Sequence, residues 1–316
     1  MKKLITFLLF IILLSSCSPQ ISSEIEDIPT LIASTSTPTA TLTPRPTLTP
    51  TATLIPCPSQ PVIFGEVTVV FHEPMQDGDC EDIIKYSKLA EEQFRIIGYP
   101  TGKVQVNVFA TPEAVTEFAY DWAKQAGCNP DSKEIIFQLW TERGFQAQGT
   151  RGAVFLLTNL LNNEWRKVRP VDRAAAITHE ITQAVEINIL GSCQKRWQIP
   201  DWYGHGVAEY FADNFIQEWG FPKSFEDTSG CKDKLANLRA GENCIYVQSQ
   251  LVFDLLAQKY EGNYKKALDV LTEMTKGKSF NTAFYDVYKI SVSAFSDEFD
   301  AYRLNGYKLI EVTPTP

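Results

Sequence analysis

The sequence predicts an α+β domain, an N-terminal β-sheet with helices followed by a mostly helical C-terminal half. Three observations predict it. Two-residue alternation of apolar side chains is concentrated before residue 160. Apolar residues at three- and four-residue steps dominate after residue 170. No internal repeat interrupts this order, so a stacked-repeat architecture is not expected.

Each element follows from its own signal. In Glu66–His72, Val67, Val69 and Phe71 alternate with more polar neighbours, the pattern of a half-buried strand. Residues 81–97 carry Ile84, Leu89 and Phe94 at helical spacing and stop at Gly98 before Tyr99-Pro100. Lys103–Phe109 alternates again through Val104, Val106 and Val108. Thr111-Pro112-Glu113 then offers an N-cap, a proline at the first helical position and an acidic first turn, and Gly127 ends that helix near Ala126. Gly152–Thr158 is a third strand candidate, and 134–140 is an ambiguous fourth. Val171–Leu190 is a helix closed by Gly191, and His205–Glu218 is one closed by Gly220. Tyr246–Tyr260, Tyr264–Lys276, Phe280–Tyr288 and Ala294–Leu304 complete the helical half.

The ends of the chain carry a different message. Lys2 and Lys3 precede an apolar run from Leu4 to Leu14, which is short for a permanent membrane span. Leu14-Ser15-Ser16-Cys17 resembles a bacterial lipobox, so residues 1–17 are expected to be a lipoprotein signal peptide with lipid on Cys17. Residues 18–56 are rich in Thr, Pro, Ala and Ser, with Thr37-Pro38, Thr43-Pro44 and Thr49-Pro50 steps. They read as a disordered, extended stalk. Residues 57–312 have globular composition, and about 250 residues suffice for one substantial core. The expected location is the extracytoplasmic face of the cell membrane, reached through lipidated Cys17.

A formal net charge of −9 argues against nucleic acid as a partner. Of seven cysteines, six remain once Cys17 is set aside, and none forms a CxxC pair. An even number in an exported chain favours disulfides over thiols or zinc ligands. The expected pairs are Cys57–Cys80, Cys128–Cys193 and Cys231–Cys244.

The chain holds three histidines, and two lie in segments with catalytic patterning. In His179-Glu180-Ile181-Thr182-Gln183, His179 and Gln183 are four apart and share a helical face, with Glu180 beside them. This is the spacing of HExxH, where two residues grip a metal and a carboxylate takes a proton from the metal-bound water. Glutamine stands where the second histidine belongs. The segment Trp202-Tyr-Gly-His-Gly-Val-Ala-Glu-Tyr210 resembles the gluzincin signature W-x-x-E-G-x-A-x-Y, with His205 in the place of the third-ligand glutamate. Ile199-Pro200, Phe211-Ala212 and the run from Tyr246 to Tyr260 add to the likeness, which covers roughly Val104 to Leu304.

The chain thus resembles the bacterial peptidase-MA-like gluzincin metallopeptidases, with departures at two ligand positions. The resemblance implies a thermolysin-like catalytic-domain fold, zinc as cofactor, and a peptide or protein as substrate or ligand. It also implies an edge strand above the cleft, with Gly152–Thr158 as the candidate. Three readings stay open. In one, His179, Gln183 and His205 hold zinc through two imidazoles and an amide oxygen, and Glu180 is the general base. In another, Glu209 replaces Gln183 as a ligand, against the alternative that Glu209 steadies a ligand imidazole. In the third, the site holds no metal and the fold serves as a peptide- or glycan-binding module. Tyr246 or Tyr210 is a candidate donor to an oxyanion. Glu186, seven residues after His179, reads as a polar flank. His72 is expected in a turn, and Trp197, Trp202, Tyr203 and Trp219 as core or cleft lining.

Overall fold

The structure, a computed structural model, describes residues 54–55, 57–76, 79–141, 147–160, 163–164, 168–221, 231, 233–238 and 243–309. The signal peptide, Cys17 and nearly all of the expected stalk lie outside these residues. The chain is α+β. Strands β1 (Leu54–Ile55), β2 (Val62–Phe64), β3 (Val67–Phe71) and β4 (Met75–Gln76) precede helix α1 (Asp79–Ile96). Then come β5 (Val104–Phe109), α2 (Pro112–Gln125), α3 (Lys133–Thr141), β6 (Ala147–Thr150), β7 (Ala153–Leu157), β8 (Asn159–Leu160) and β9 (Asn163–Glu164). Helices α4 (Pro170–Leu190), α5 (Cys193–Arg196), α6 (Asp201–Glu218), α7 (Asn243–Tyr260), α8 (Tyr264–Thr275), α9 (Phe280–Tyr288) and α10 (Val292–Leu304) finish the chain. None of the described helices is long and apolar enough to cross a membrane.

The central sheet has the order β2-β3-β5-β7-β6. Strands β3, β5 and β7 are parallel, while β2 and β6 run antiparallel to their neighbours at the two edges. The two faces of the sheet separate by residue parity, as the pleat requires. Val104, Val106, Val108, Val154 and Leu156 join the large core shared with α1, α4 and the later helices. Phe109, Ala153, Phe155 and Leu157 join a smaller core under α2 and α3. Strand β7 is therefore buried on both faces, which explains its unbroken apolar run.

Four sequence expectations are corrected here. Residues 134–140 are not a strand but lie in helix α3, with Ile136, Leu139 and Trp140 buried. Isoleucine and aromatic content made the segment ambiguous, and packing against α2 selects the three-then-one spacing of a helix face. The strand near Gly152–Thr158 is interior rather than at the edge. The edge belongs to β6, whose sequence Ala147-Gln-Gly-Thr150 has no apolar alternation to reveal it. Helix α6 also begins at Asp201, before the expected His205, so the Trp202 and Tyr203 rings enter the core on its first turn. Leu54–Ile55, at the end of the expected stalk, pairs antiparallel with β4.

The three expected disulfides are present: Cys57–Cys80, Cys128–Cys193 and Cys231–Cys244. They tie the chain before β2 to α1, the end of α2 to α5, and the segment before α7 to that helix.

Candidate functional site

Helix α4 carries the site and is buried on nearly every side, between the sheet and helices α1, α6 and α8. Its small residues, Ala174 and Ala184 among them, let these elements approach. Thr178 and Thr182 satisfy their hydroxyls on carbonyls one turn back, those of Ala174 at 2.9 Å and Thr178 at 2.8 Å. Gly191 closes the helix in the left-handed conformation at φ 69°. Helix α6 crosses α4 and brings its own first turns alongside. Gly206 permits close contact with α7, since a methyl group there would stand 2.9 Å from the Ser249 carbonyl oxygen.

These helices bring His179, Gln183, His205, Glu209 and Tyr246 together, all buried except half-buried Tyr246. His179 Nδ1 lies 2.9 Å from Glu209 Oε1. On its other side, His179 Nε2 lies 2.8 Å from the Gln183 side-chain nitrogen, which is also 3.5 Å from His205 Nδ1. The Tyr246 ring stands edge-on to His205 at 5.7 Å and to His179 at 6.4 Å between centroids. Glu209 faces His179 Nδ1 as a close carboxylate neighbour, and the tautomer with its proton on that nitrogen leaves Nε2 a lone pair that accepts from the Gln183 amide. The Gln183 side-chain nitrogen stands at hydrogen-bond distance from that Nε2 and donates to it in this tautomer.

Glu180 takes a different direction. It is fully buried, and its Oε2 accepts the backbone N–H of Gly149 on edge strand β6. Burial raises its carboxyl above the usual carboxylate range, partly offset by His179 and by that N–H. Gly149 must be glycine for this contact, since a methyl group there would stand 2.5 Å from the Glu180 carbonyl oxygen. His205 is held neutral, its pKa driven well below the ordinary histidine value by burial and by His179 and Arg196.

Beneath the histidines lies a pair that sequence reasoning missed. Glu186 is fully buried, and its Oε2 is 3.2 Å from Arg196 Nε on the short helix α5. Burial pushes the Glu186 carboxyl up to about 8 against the opposing pull of Arg196. The guanidinium lies on the α6 backbone at Gly204, where any side chain would overlap it. Nothing in the Lys195-Arg196 dipeptide signals this, because the pairing depends on a turn that returns α5 against α4.

Other candidates fall elsewhere. His72 stacks on Phe109 at 4.5 Å and bonds Asn107 at 3.0 Å, away from the cluster. Tyr210 packs among Phe211, Phe253 and Tyr264. Trp202 and Tyr203 are core, Trp219 stacks with Tyr86, and Trp197 is half exposed at 48 %. Glu209 faces the opposite ring nitrogen of His179 from Gln183, so it cannot share a metal with His179 Nε2.

Does the donor set suit zinc? At zinc–nitrogen distances of about 2.0–2.1 Å, tetrahedral donors stand roughly 3.3 Å apart. The 3.5 Å contact suits that spacing, but the 2.8 Å contact is the length of a hydrogen bond. An amide NH2 has no lone pair to offer a metal. As placed, His179, Gln183 and His205 therefore do not fit zinc; the amide fills the role that a metal would have toward the imidazoles. Among the described residues, no group of three or more His, Cys, Asp and Glu side chains is arranged to hold a metal ion. No known protein family matches the chain, and no curated protein matches it.

Proposed function

We propose that the chain is a gluzincin-like pseudopeptidase, a lipid-anchored extracytoplasmic module that binds a peptide or glycan without cleaving it. The observation that carries this reading is the Gln183 carboxamide, which donates to His179 Nε2 at the point where a ligand imidazole would meet a metal. Glu180, the residue spaced to act as general base, is meanwhile tied to the Gly149 N–H of β6. The family reading draws support from the architecture: a small mixed sheet with an antiparallel edge strand lies against crossed helices α4 and α6. The HExxQ and W-x-x-H-G-x-A-x-Y segments fall on those helices, as a thermolysin-like fold requires.

A second reading is the zinc metallopeptidase itself. It is favoured by one arrangement, in which the Glu209 carboxylate steadies His179 as such carboxylates do for metal-bound imidazoles. It requires Gln183 to turn and present its oxygen, with the Tyr246 ring beside the two histidines.

Metal content of the purified full chain, measured without added metal beside His205→Ala, separates the two. The pseudopeptidase reading expects no stoichiometric zinc, an unchanged melting temperature with zinc or chelator, and no peptide hydrolysis. Near-stoichiometric zinc that is lost in His205→Ala, with chelator-sensitive hydrolysis abolished by Glu180→Gln, would overturn it.

A further inference from the structure

A cavity of about 380 Å³ opens between the end of α2, the turn joining β6 to β7, and α4, apart from the histidine cluster. Its walls include Trp122, Gln125, Arg151, Gly152 and Asn188. We propose that this cavity is a binding site for a neutral saccharide. The proposal deepens the binding-module reading by naming a ligand class and a place.

The walls are fixed before any ligand arrives. Trp122 Nε1 donates to the Arg151 carbonyl at 3.1 Å, and the Arg151 guanidinium donates to the Ala126 carbonyl at 3.1 Å. Two reciprocal bonds thus clamp the end of α2 to the β6–β7 turn. The Asn188 amide nitrogen donates to the carbonyls of Thr101 at 3.1 Å and Lys103 at 3.3 Å, which leaves its oxygen as an acceptor beside Gly152. Gly152 adopts φ 70°, and its lack of a side chain keeps that wall open. The Cys128–Cys193 disulfide fastens the segment just after α2 to α5. A site built this way loses little conformational freedom on binding.

The chemistry of the walls selects the ligand. The volume sits at the small end of the roughly 300–1,000 Å³ range of ligand sites, the scale of a short saccharide rather than a folded partner. A pyranose presents an apolar face of C–H groups and a rim of hydroxyls that both donate and accept. Trp122 supplies a flat apolar surface, Arg151 supplies donors, Asn188 an acceptor, and Gln125 both. A purely apolar ligand would strip water from a guanidinium and two carboxamides without replacing it. The lining side chains named include no carboxylate to attract a cation. An anion would meet the carbonyl end of α2, where the helix dipole is negative.

The test is calorimetric titration of the full chain with cellotetraose, maltotetraose and chitotetraose, beside Trp122→Ala and Gln125→Ala. Gln125 is exposed, so its truncation leaves the fold intact and keeps the test valid where Trp122→Ala fails to fold. The expected result is saturable binding of at least one tetrasaccharide, weakened about tenfold or more in both folded variants. Absence of binding to all three sugars, or binding undiminished in Gln125→Ala, would overturn the proposal. Metal content does not enter this readout, so a zinc-loaded chain that still binds sugar would refute the pseudopeptidase reading and leave the saccharide site standing.

Discussion

The side-chain nitrogen of Gln183 lies 2.8 Å from Nε2 of His179, one turn away on the same buried helix. This contact makes the carboxamide the hydrogen-bond partner of an imidazole that is only 2 % exposed. Removing the amide takes away a buried hydrogen-bond contact of that imidazole, at a cost of about 1–3 kcal/mol. Gln183→Ala is therefore predicted to fold with a lowered melting temperature. Gln183→His is predicted to restore a ligand imidazole and to gain zinc, seen as metal in the purified chain and as a zinc-dependent rise in melting temperature. A folded Gln183→His that binds no zinc would count against the gluzincin reading of α4 and α6.

Gly204→Ala should be destabilising for a reason that can be isolated. The new methyl group displaces the Arg196 guanidinium from Glu186, and leaving these buried polar groups without each other costs about 1–3 kcal/mol. In an Arg196→Ala background the same methyl group meets no guanidinium. Gly204→Ala should then stabilise that background by up to about 1 kcal/mol, through helix propensity alone. Urea unfolding of the double-mutant cycle measures this change of sign, and additive costs would refute it.

The buried titratable groups set the pH range of stability. Glu186 has a folded pKa near 8, raised above its unfolded value, so the folded state holds the extra proton between the two. Its stabilising contribution is full below the unfolded carboxylate value and declines as pH rises toward 8. His205 has the opposite sign, because its folded pKa is depressed and stability falls as pH drops below the unfolded histidine value. Unfolding midpoints against pH should show both limbs. Glu186→Gln should flatten the upper one and His205→Gln the lower, and a profile unchanged in either variant would refute the assignment.

The Cys128–Cys193 bridge closes a loop across a separation of 65 residues. Replacing both cysteines with alanine should cost about 4 kcal/mol by chain entropy, measured as a loss of unfolding free energy in urea. A loss below about 1 kcal/mol would mean that the end of α2 is held mainly by the Trp122 and Arg151 bonds.

Much of this protein was legible without coordinates, because local physics wrote it. Alternating valines in β3 and β5 and the three-four spacing of α4 and α7–α10 follow from single-element periodicity. The His179, Gln183 and His205 positions came from spacing along two helices, and the three disulfide pairs follow the sequence expectation for six cysteines outside the reading of Cys17 as a lipid site. Tertiary structure alone decided the rest. Edge strand β6 has no pattern of its own; it forms by antiparallel pairing with β7, and Gly149 lets its backbone reach Glu180. Helix α3 was chosen over a strand by its packing on α2. The Glu186–Arg196 pair, and the turning of Gln183 toward the imidazoles, are contacts between groups whose approach depends on how helices cross. Residue order sets which side chains share a face; only packing sets which faces meet, and a buried donor or charge takes its partner from the face it meets.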